Sequence, residues 1–351
     1  MIPVSKKETY IDFSKISFNV SIEECFSNLK PHPKFAGCTF DNYIPDDNFP
    51  SQHYIKNMLK ETAEKMSKKY EAPAKRIFSF FKPKNTFEKP LNIYIDGSYG
   101  IGKTHLLSSV YNMSGLNKAF MSFSEMNYFF HYLGVEKCVQ EFSKLDLLLV
   151  DEFELDDPAM CLIMVRFFKE VNKDTLIVTT SNTLPSELGK LRFQVERFQK
   201  EMGVIADSFN TIVVEGEDYR KKQKIWKKNS SDKSFYDSFA EYQCENKPKT
   251  KVDFGKMMKV LSDNHPFRYF VIPAGCEAIF IDGLEPFKDL NSALRFNHLI
   301  DHCYYYNTKL FIKSKHDIRE IFSPEMIESP FQKKLLRCLS RLDELSVFHT
   351  D

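Results

Sequence analysis

Between residues 91 and 215 the chain alternates short apolar runs with longer amphipathic stretches. The runs are LNIYID (91–96), AFMSF (119–123), LDLLLV (145–150), TLIVTT (175–180) and TIVVE (211–215). Runs of this length, apolar on both faces and separated by helical periodicity, predict buried parallel strands covered on both sides by helices. Upstream, residues 51–66 place Ile55, Met58, Leu59 and Ala63 on one helical face. The first fifty residues are proline-containing and irregular. Downstream, FRYFVI (267–272), EAIFIDG (277–283) and TKLFIKS (308–314) read as strands, residues 289–305 as a helix, and residues 328–346 as a closing helix with Leu335, Leu336, Leu339, Leu342 and Leu345 on its apolar side.

This pattern divides the 351 residues into an N-terminal arm and helix (1–66), a five-strand α/β core (67–218) and a mixed α/β C-terminal region (219–351). Composition adds little. The chain is 42% hydrophobic and 28% charged, as globular proteins are. Its formal charge of +1 excludes overall charge as a drive toward nucleic acid or anionic membrane. Two local basic stretches, Lys68–Lys89 and Arg220–Lys233, suit a solvated linker first; an acidic protein partner, an anionic membrane surface and nucleic acid remain as alternatives. Neither shows the interleaved aromatics of a single-strand platform. The eight Cys form no Cys-x-x-Cys pair, and with no secretory signal in the sequence they are expected as reduced, mostly buried thiols. No apolar run approaches the ~20 residues that span a bilayer, so the expectation is a cytoplasmic protein.

The chemistry lies in three short segments. GSYGIGKT, Gly97 to Thr104, follows an apolar strand and opens a helical pattern, which is the context a phosphate-binding P-loop needs. Gly97, Gly100 and Gly102 allow the backbone to approach phosphate, and the amides of Ser98, Tyr99, Gly100, Ile101 and Gly102 face it. Lys103 reaches the β- and γ-phosphates, Thr104 puts its hydroxyl on Mg²⁺, and His105 is a further nucleotide-binding candidate. LDLLLVDEFELDD ends a buried strand on two acids. Asp151 suits the Mg²⁺ shell and Glu152 the attacking water. TTSN ends the next strand with Asn182, a polar group able to orient that water and sense the γ-phosphate.

These segments, with VRFF after the acids, TLPSELGKLRF after TTSN, VEGEDYR, FDNYIPDDNFPSQ (40–52), EAIFIDGLEPF and LLRCLSRLDEL, resemble the ZapE branch of the AAA+ ATPases, bacterial cell-division proteins with mitochondrial relatives. The resemblance covers most of the chain from about residue 38. It implies a P-loop AAA+ fold; the C-terminal region departs from the usual all-helical small domain, its strand–helix–strand pattern suggesting a mixed α/β lid. It implies an oligomeric, ATP- and Mg²⁺-dependent ATPase with nucleotide between subunits. It places an arginine finger after the third segment, where Arg192 is preferred and Arg197 is the alternative. It implies a protein client, the division-ring protein FtsZ, and recruitment to the division site at the inner membrane. Tyr43 and Gln52, in the arm, are candidates to contact the adenine, with ordinary packing as the alternative. Arg220, Arg337 and Arg341 are candidate phosphate sensors or ion-pair residues. The YFFHY cluster at Tyr128–Tyr132 reads as a helical apolar face, with a pore-facing grip as the alternative. Two other functions compete: a nucleic-acid-associated ATPase of the initiator or helicase-loader type, and a scaffold gated by bound nucleotide.

Overall fold

The computed structural model describes residues 9–71, 91–98, 100–155, 158–171, 173–184, 200, 203–217 and 233–350. Both basic stretches of the sequence fall mostly outside these residues. Two compact units divide the chain: one drawn from Ser27–Pro31 and Phe35–Lys224, the other from Met1–Phe26, His32–Lys34 and Ile225–Asp351.

In the first unit a long helix α1 (Pro50–Glu71) precedes strand β1 (Asn92–Gly97). Then follow α2 (Lys103–Met113), β2 (Lys118–Ser122), α3 (Phe123–Leu133), α4 (Val135–Phe142), β3 (Leu147–Asp151), α5 (Pro158–Glu170), β4 (Leu176–Ser181) and β5 (Phe209–Val214). The strands lie in the order β2-β3-β4-β1-β5, all parallel. This is the strand order of the P-loop AAA+ core. All five apolar runs became strands, within two residues of the predicted bounds.

Each sheet face has its own character. On one, Ile93, Ile95, Leu147, Leu149, Leu176, Val178, Ile212 and Val214 pack with Ile55, Leu59, Ala63 and Met66 of α1 and with Leu106, Leu107 and Val110 of α2. The other is aromatic. Tyr94 meets Phe153 and Phe209 edge-on, Phe168 meets Phe209, and Phe142 meets Phe129 and Phe167. Such edge-to-face pairs add roughly 0.5–1.5 kcal/mol each beyond area burial. The YFFHY cluster belongs to this layer: Tyr128, Phe129 and Phe130 are buried, while His131 and Tyr132 are exposed. It is the apolar face of α3, and β2 runs straight into that helix through a Ser122–Glu125 capping box.

The second unit carries α6 (Phe235–Glu241), β6 (Lys249–Asp253), α7 (Phe254–Asp263), β7 (Ala278–Asp282), α8 (Leu290–Tyr306), β8 (Lys309–Lys313), α9 (Gln332–Leu345) and β9 (Ser346–His349). Its four strands are parallel in the simple order β6-β7-β8-β9. Right-handed crossovers that always step the same way put their helices on one face. There α7, α8 and α9 pack on Val252, Ile279, Ile281, Leu310 and Ile312. The opposite face, Ala278, Phe280 and Phe311, is covered by Phe235, Phe239 and Tyr242. FRYFVI is not a strand but a 3-10 turn, Pro266–Phe270, leading into a helical turn, Val271–Gly275. Pro266 at the first position and a cap from His265 to the Phe267 amide favour the helical start.

Candidate functional site

Strand β1 ends at Gly97, and the chain turns through Gly100 and Gly102, both at positive φ (77° and 84°), before α2 begins at Lys103. The turn is wedged in place. A Cβ on Gly97 would lie 2.5 Å from the Val214 carbonyl oxygen and from Ile101 Cδ1. One on Gly102 would lie 2.7 Å from the ring of Tyr43. Tyr43 is buried, and its hydroxyl donates to the Ile101 carbonyl at 3.0 Å. Gln52, 1% exposed, accepts from the Asp46 amide and donates to the Glu215 carbonyl, both at 3.0 Å. A Cβ on Gly216 would strike its Nε2 at 2.5 Å. Tyr43 and Gln52 therefore brace the P-loop from behind; packing, the alternative to adenine contact, is what both side chains do. Ile44, the next residue, is 76% exposed. His105 turns Nε2 to the Thr39 carbonyl and Asn42 Oδ1, at 3.0 and 2.8 Å, tying α2 to the arm.

The functional side chains converge from three strand ends. Lys103 Nζ donates to the carbonyls of Gly97 (2.6 Å) and Ser98 (2.7 Å), and to Asn182 Oδ1 (2.8 Å) just beyond β4. Thr104 Oγ1 donates to Asp151 Oδ2 at 2.8 Å. Thr180 Oγ1 donates to the other oxygen, Asp151 Oδ1. Burial, reinforced by the charge of Glu152, raises the Asp151 carboxyl to about 6.

Glu152 has a left-handed backbone, φ 52°, a conformation that costs a side-chain-bearing residue roughly 1 kcal/mol or more. Its amide donates to Thr180 Oγ1 at 3.1 Å, and the Phe153 amide donates to the Thr180 carbonyl at 2.7 Å. Ser181 Oγ donates to the Phe153 carbonyl at 2.8 Å, and the Phe153 ring is fully buried against Tyr94 and Phe123. The turn is held from both sides.

Lys103, Thr104, Asp151, Glu152 and Asn182 thus lie at one locality, with Gly97, Ser98, Gly100, Ile101 and Gly102 forming its loop. Tyr99, Arg192, Arg197 and Arg220 lie outside the described residues. Arg337 and Arg341 both pair with Asp301 in the second unit, the first at 3.0 Å, so they act as ion-pair residues. Sequence reasoning missed Thr180. A threonine in a strand reads as β-propensity, and only its place next to Asn182 hinted at more.

An Mg²⁺ ion fits these residues: a hydroxyl and a carboxylate, both hard oxygen donors, converge at 2.8 Å, and the carboxylate is buried where its charge lacks solvation. Among the described residues no helix is long and apolar enough to cross a membrane. All eight cysteines are free thiols, seven of them buried.

A family model described as AFG1-like ATPase matches residues 27–253 and 241–349. Among solved structures, the chain is similar to DnaI (15% identity, 53% of this chain and 92% of that one, TM-score 0.39). It is similar to the DnaC helicase loader (16%, 52% and 99%, TM-score 0.33). It is also similar to the replication initiator DnaA bound to AMPPCP and single-stranded DNA (14%, 89% and 92%, TM-score 0.38).

Proposed function

The chain belongs to the AFG1-like ATPase family, and from that premise we propose that it binds ATP with Mg²⁺ and hydrolyses it to remodel or regulate a protein assembly. The observation that carries this reading is the meeting of Lys103, Thr104, Asp151 and Asn182 through hydrogen bonds of 2.8 Å, with Glu152 next to Asp151 on a braced turn.

Each residue has a part. The loop amides and the Lys103 ammonium neutralise the β- and γ-phosphates. Thr104 and Asp151 hold Mg²⁺, which when bound supplies positive charge that steadies the leaving diphosphate. Glu152 accepts a proton from the water that attacks the γ-phosphorus as the bond to the bridging oxygen breaks. Asn182, already in contact with Lys103, orients that water.

The finer reading is a nucleotide-dependent homo-oligomer in which Arg192, or Arg197, reaches a neighbour's γ-phosphate. Its client is an assembly of the FtsZ division ring, and recruitment is to the inner face of the membrane. Support for the client is the resemblance of DEFELDDP and GEDYR to the ZapE branch. The test is the Glu152→Gln protein. It should bind ATP as the parent does, turn over less than about 1% as fast, and accumulate as an oligomer in mass photometry that captures its client in pull-down. Substantial ATPase activity in this variant refutes the catalytic assignment. Failure to assemble with ADP or a slowly hydrolysed analogue refutes the trans arginine.

A further inference from the structure

One oxygen atom connects the two acids. Thr180 Oγ1 gives its proton to Asp151 Oδ1 and takes the amide proton of Glu152. Thr180 is 1% exposed on β4, next to the strand that bears both acids. Its backbone carbonyl holds the following amide, Phe153, so one residue fixes three consecutive positions. Between the anchors, Glu152 occupies the left-handed region, where a residue persists only if its surroundings over-determine it.

We propose that Thr180 is a positioning residue for the acid pair: its hydroxyl sets where the Glu152 carboxylate stands relative to Asp151, and so where the attacking water is aimed. The inference rests on the ATPase reading above. Valine at this position keeps the branched shape and the strand preference but removes the hydroxyl. It removes the hydroxyl that receives the part-buried Glu152 amide, and the turn relaxes toward ordinary backbone. The Thr180 hydroxyl bonds the acid pair rather than the loop amides, which carry most of the nucleotide's binding energy. Turnover therefore suffers more than affinity.

The experiment compares Thr180→Val and Thr180→Ser with the parent, using Lys103→Ala and Glu152→Gln as references. Thr180→Val should lower kcat about 10- to 100-fold with KM for ATP within about threefold, the signature of an interaction realised in the transition state. Thr180→Ser keeps the hydroxyl and should recover kcat to within about threefold of the parent. Hydrogen exchange over residues 147–155 should quicken in Thr180→Val and not in Thr180→Ser. A Thr180→Val enzyme with parental kcat, or a serine variant as impaired as the valine one, overturns the proposal. If the parent turns over no faster than Glu152→Gln, the ATPase reading falls on its own. Exchange then decides the hydroxyl bridge: unchanged rates in Thr180→Val overturn it, and faster rates uphold it.

Discussion

The Thr104 hydroxyl lies 2.8 Å from Asp151 Oδ2, joining the first turn of α2 to the end of β3. Two hydroxyl donors, this one and Thr180, face a carboxylate that is otherwise cut off from water. Burial dominates, and it raises the Asp151 carboxyl from 3.8 to about 6. A raised folded-state value means the favourable contribution is complete below the unfolded value, near pH 4, and is lost as pH rises through 6. At pH 8 the ionised side chain should therefore cost the nucleotide-free protein up to about 3 kcal/mol. Asp151→Asn should be more stable than the parent in urea unfolding at pH 8, and equal to it near pH 4. Added Mg²⁺ and ATP should stabilise the parent and fail to stabilise the variant. Equal stability at all pH values would contradict the buried-charge argument.

Lys103 and Asn182 form the second relationship, at 2.8 Å. Both belong to the same reaction locality, so their effects should not add. Asn182→Ala should keep ATP binding within about fivefold and lower kcat about 10- to 100-fold, as expected for a group that orients water. Lys103→Ala should instead raise the dissociation constant for ATP by more than about tenfold. The double variant, measured by nucleotide fluorescence and phosphate release, should be little worse than Lys103→Ala. Full additivity would indicate that Asn182 works elsewhere.

Gly102 and Tyr43 test the bracing of the loop. Alanine at Gly102 meets two obstacles at once, a φ of 84° and a Tyr43 ring atom 2.7 Å from the new Cβ. Gly102→Ala should cost about 1–3 kcal/mol and largely abolish nucleotide binding. Tyr43→Phe removes only the bond to the Ile101 carbonyl and should cost about 1 kcal/mol. Tyr43→Ala opens a cavity behind the loop and should cost about 3–5 kcal/mol. Binding by Gly102→Ala at parental affinity would show that the loop does not depend on this wedge.

The nucleotide chemistry was legible because it sits in contiguous residues whose types are dictated locally: glycines for the turn, Lys103 and Thr104 behind them, Asp151 and Glu152 at a strand end. What escaped depends on distant parts of the chain. The space for Tyr43 and Gln52 is made by the missing side chains of Gly102 and Gly216, and no local pattern links those positions. KTKVD did not read as a strand because Lys249 is polar. In the fold the residue is buried, with the ammonium donating to the carbonyls of Phe239 and Tyr242. FRYFVI misled because an aromatic run suits a strand and a buried helical turn equally. Arg337 and Arg341 gave no sign that their partner was Asp301, because that carboxylate lies on a different helix.

That partnership gives the last prediction. Asp301 lies in the second unit between Arg337, at 3.0 Å, and Arg341, whose guanidinium also covers the rings of Tyr304 and Tyr305 at 4.6 and 4.8 Å. Burial alone would raise its carboxyl; the charges of Arg337 and Arg341 outweigh it and hold it below the ordinary value. The sign is therefore opposite to that of Asp151: the stabilisation is present above about pH 4 and is lost as pH falls. Asp301→Asn leaves two guanidiniums facing each other without their anion and should cost about 3–5 kcal/mol at pH 7, shrinking on acidification. Replacing Asp301, Arg337 and Arg341 together by Leu, Met and Met removes every charge and should cost far less, because the desolvation penalty goes with them. Thermal unfolding of both variants at pH 3 and 7 distinguishes these outcomes. A triple variant as unstable as Asp301→Asn would mean that the side-chain shapes, rather than the balance of charge, hold α8 to α9.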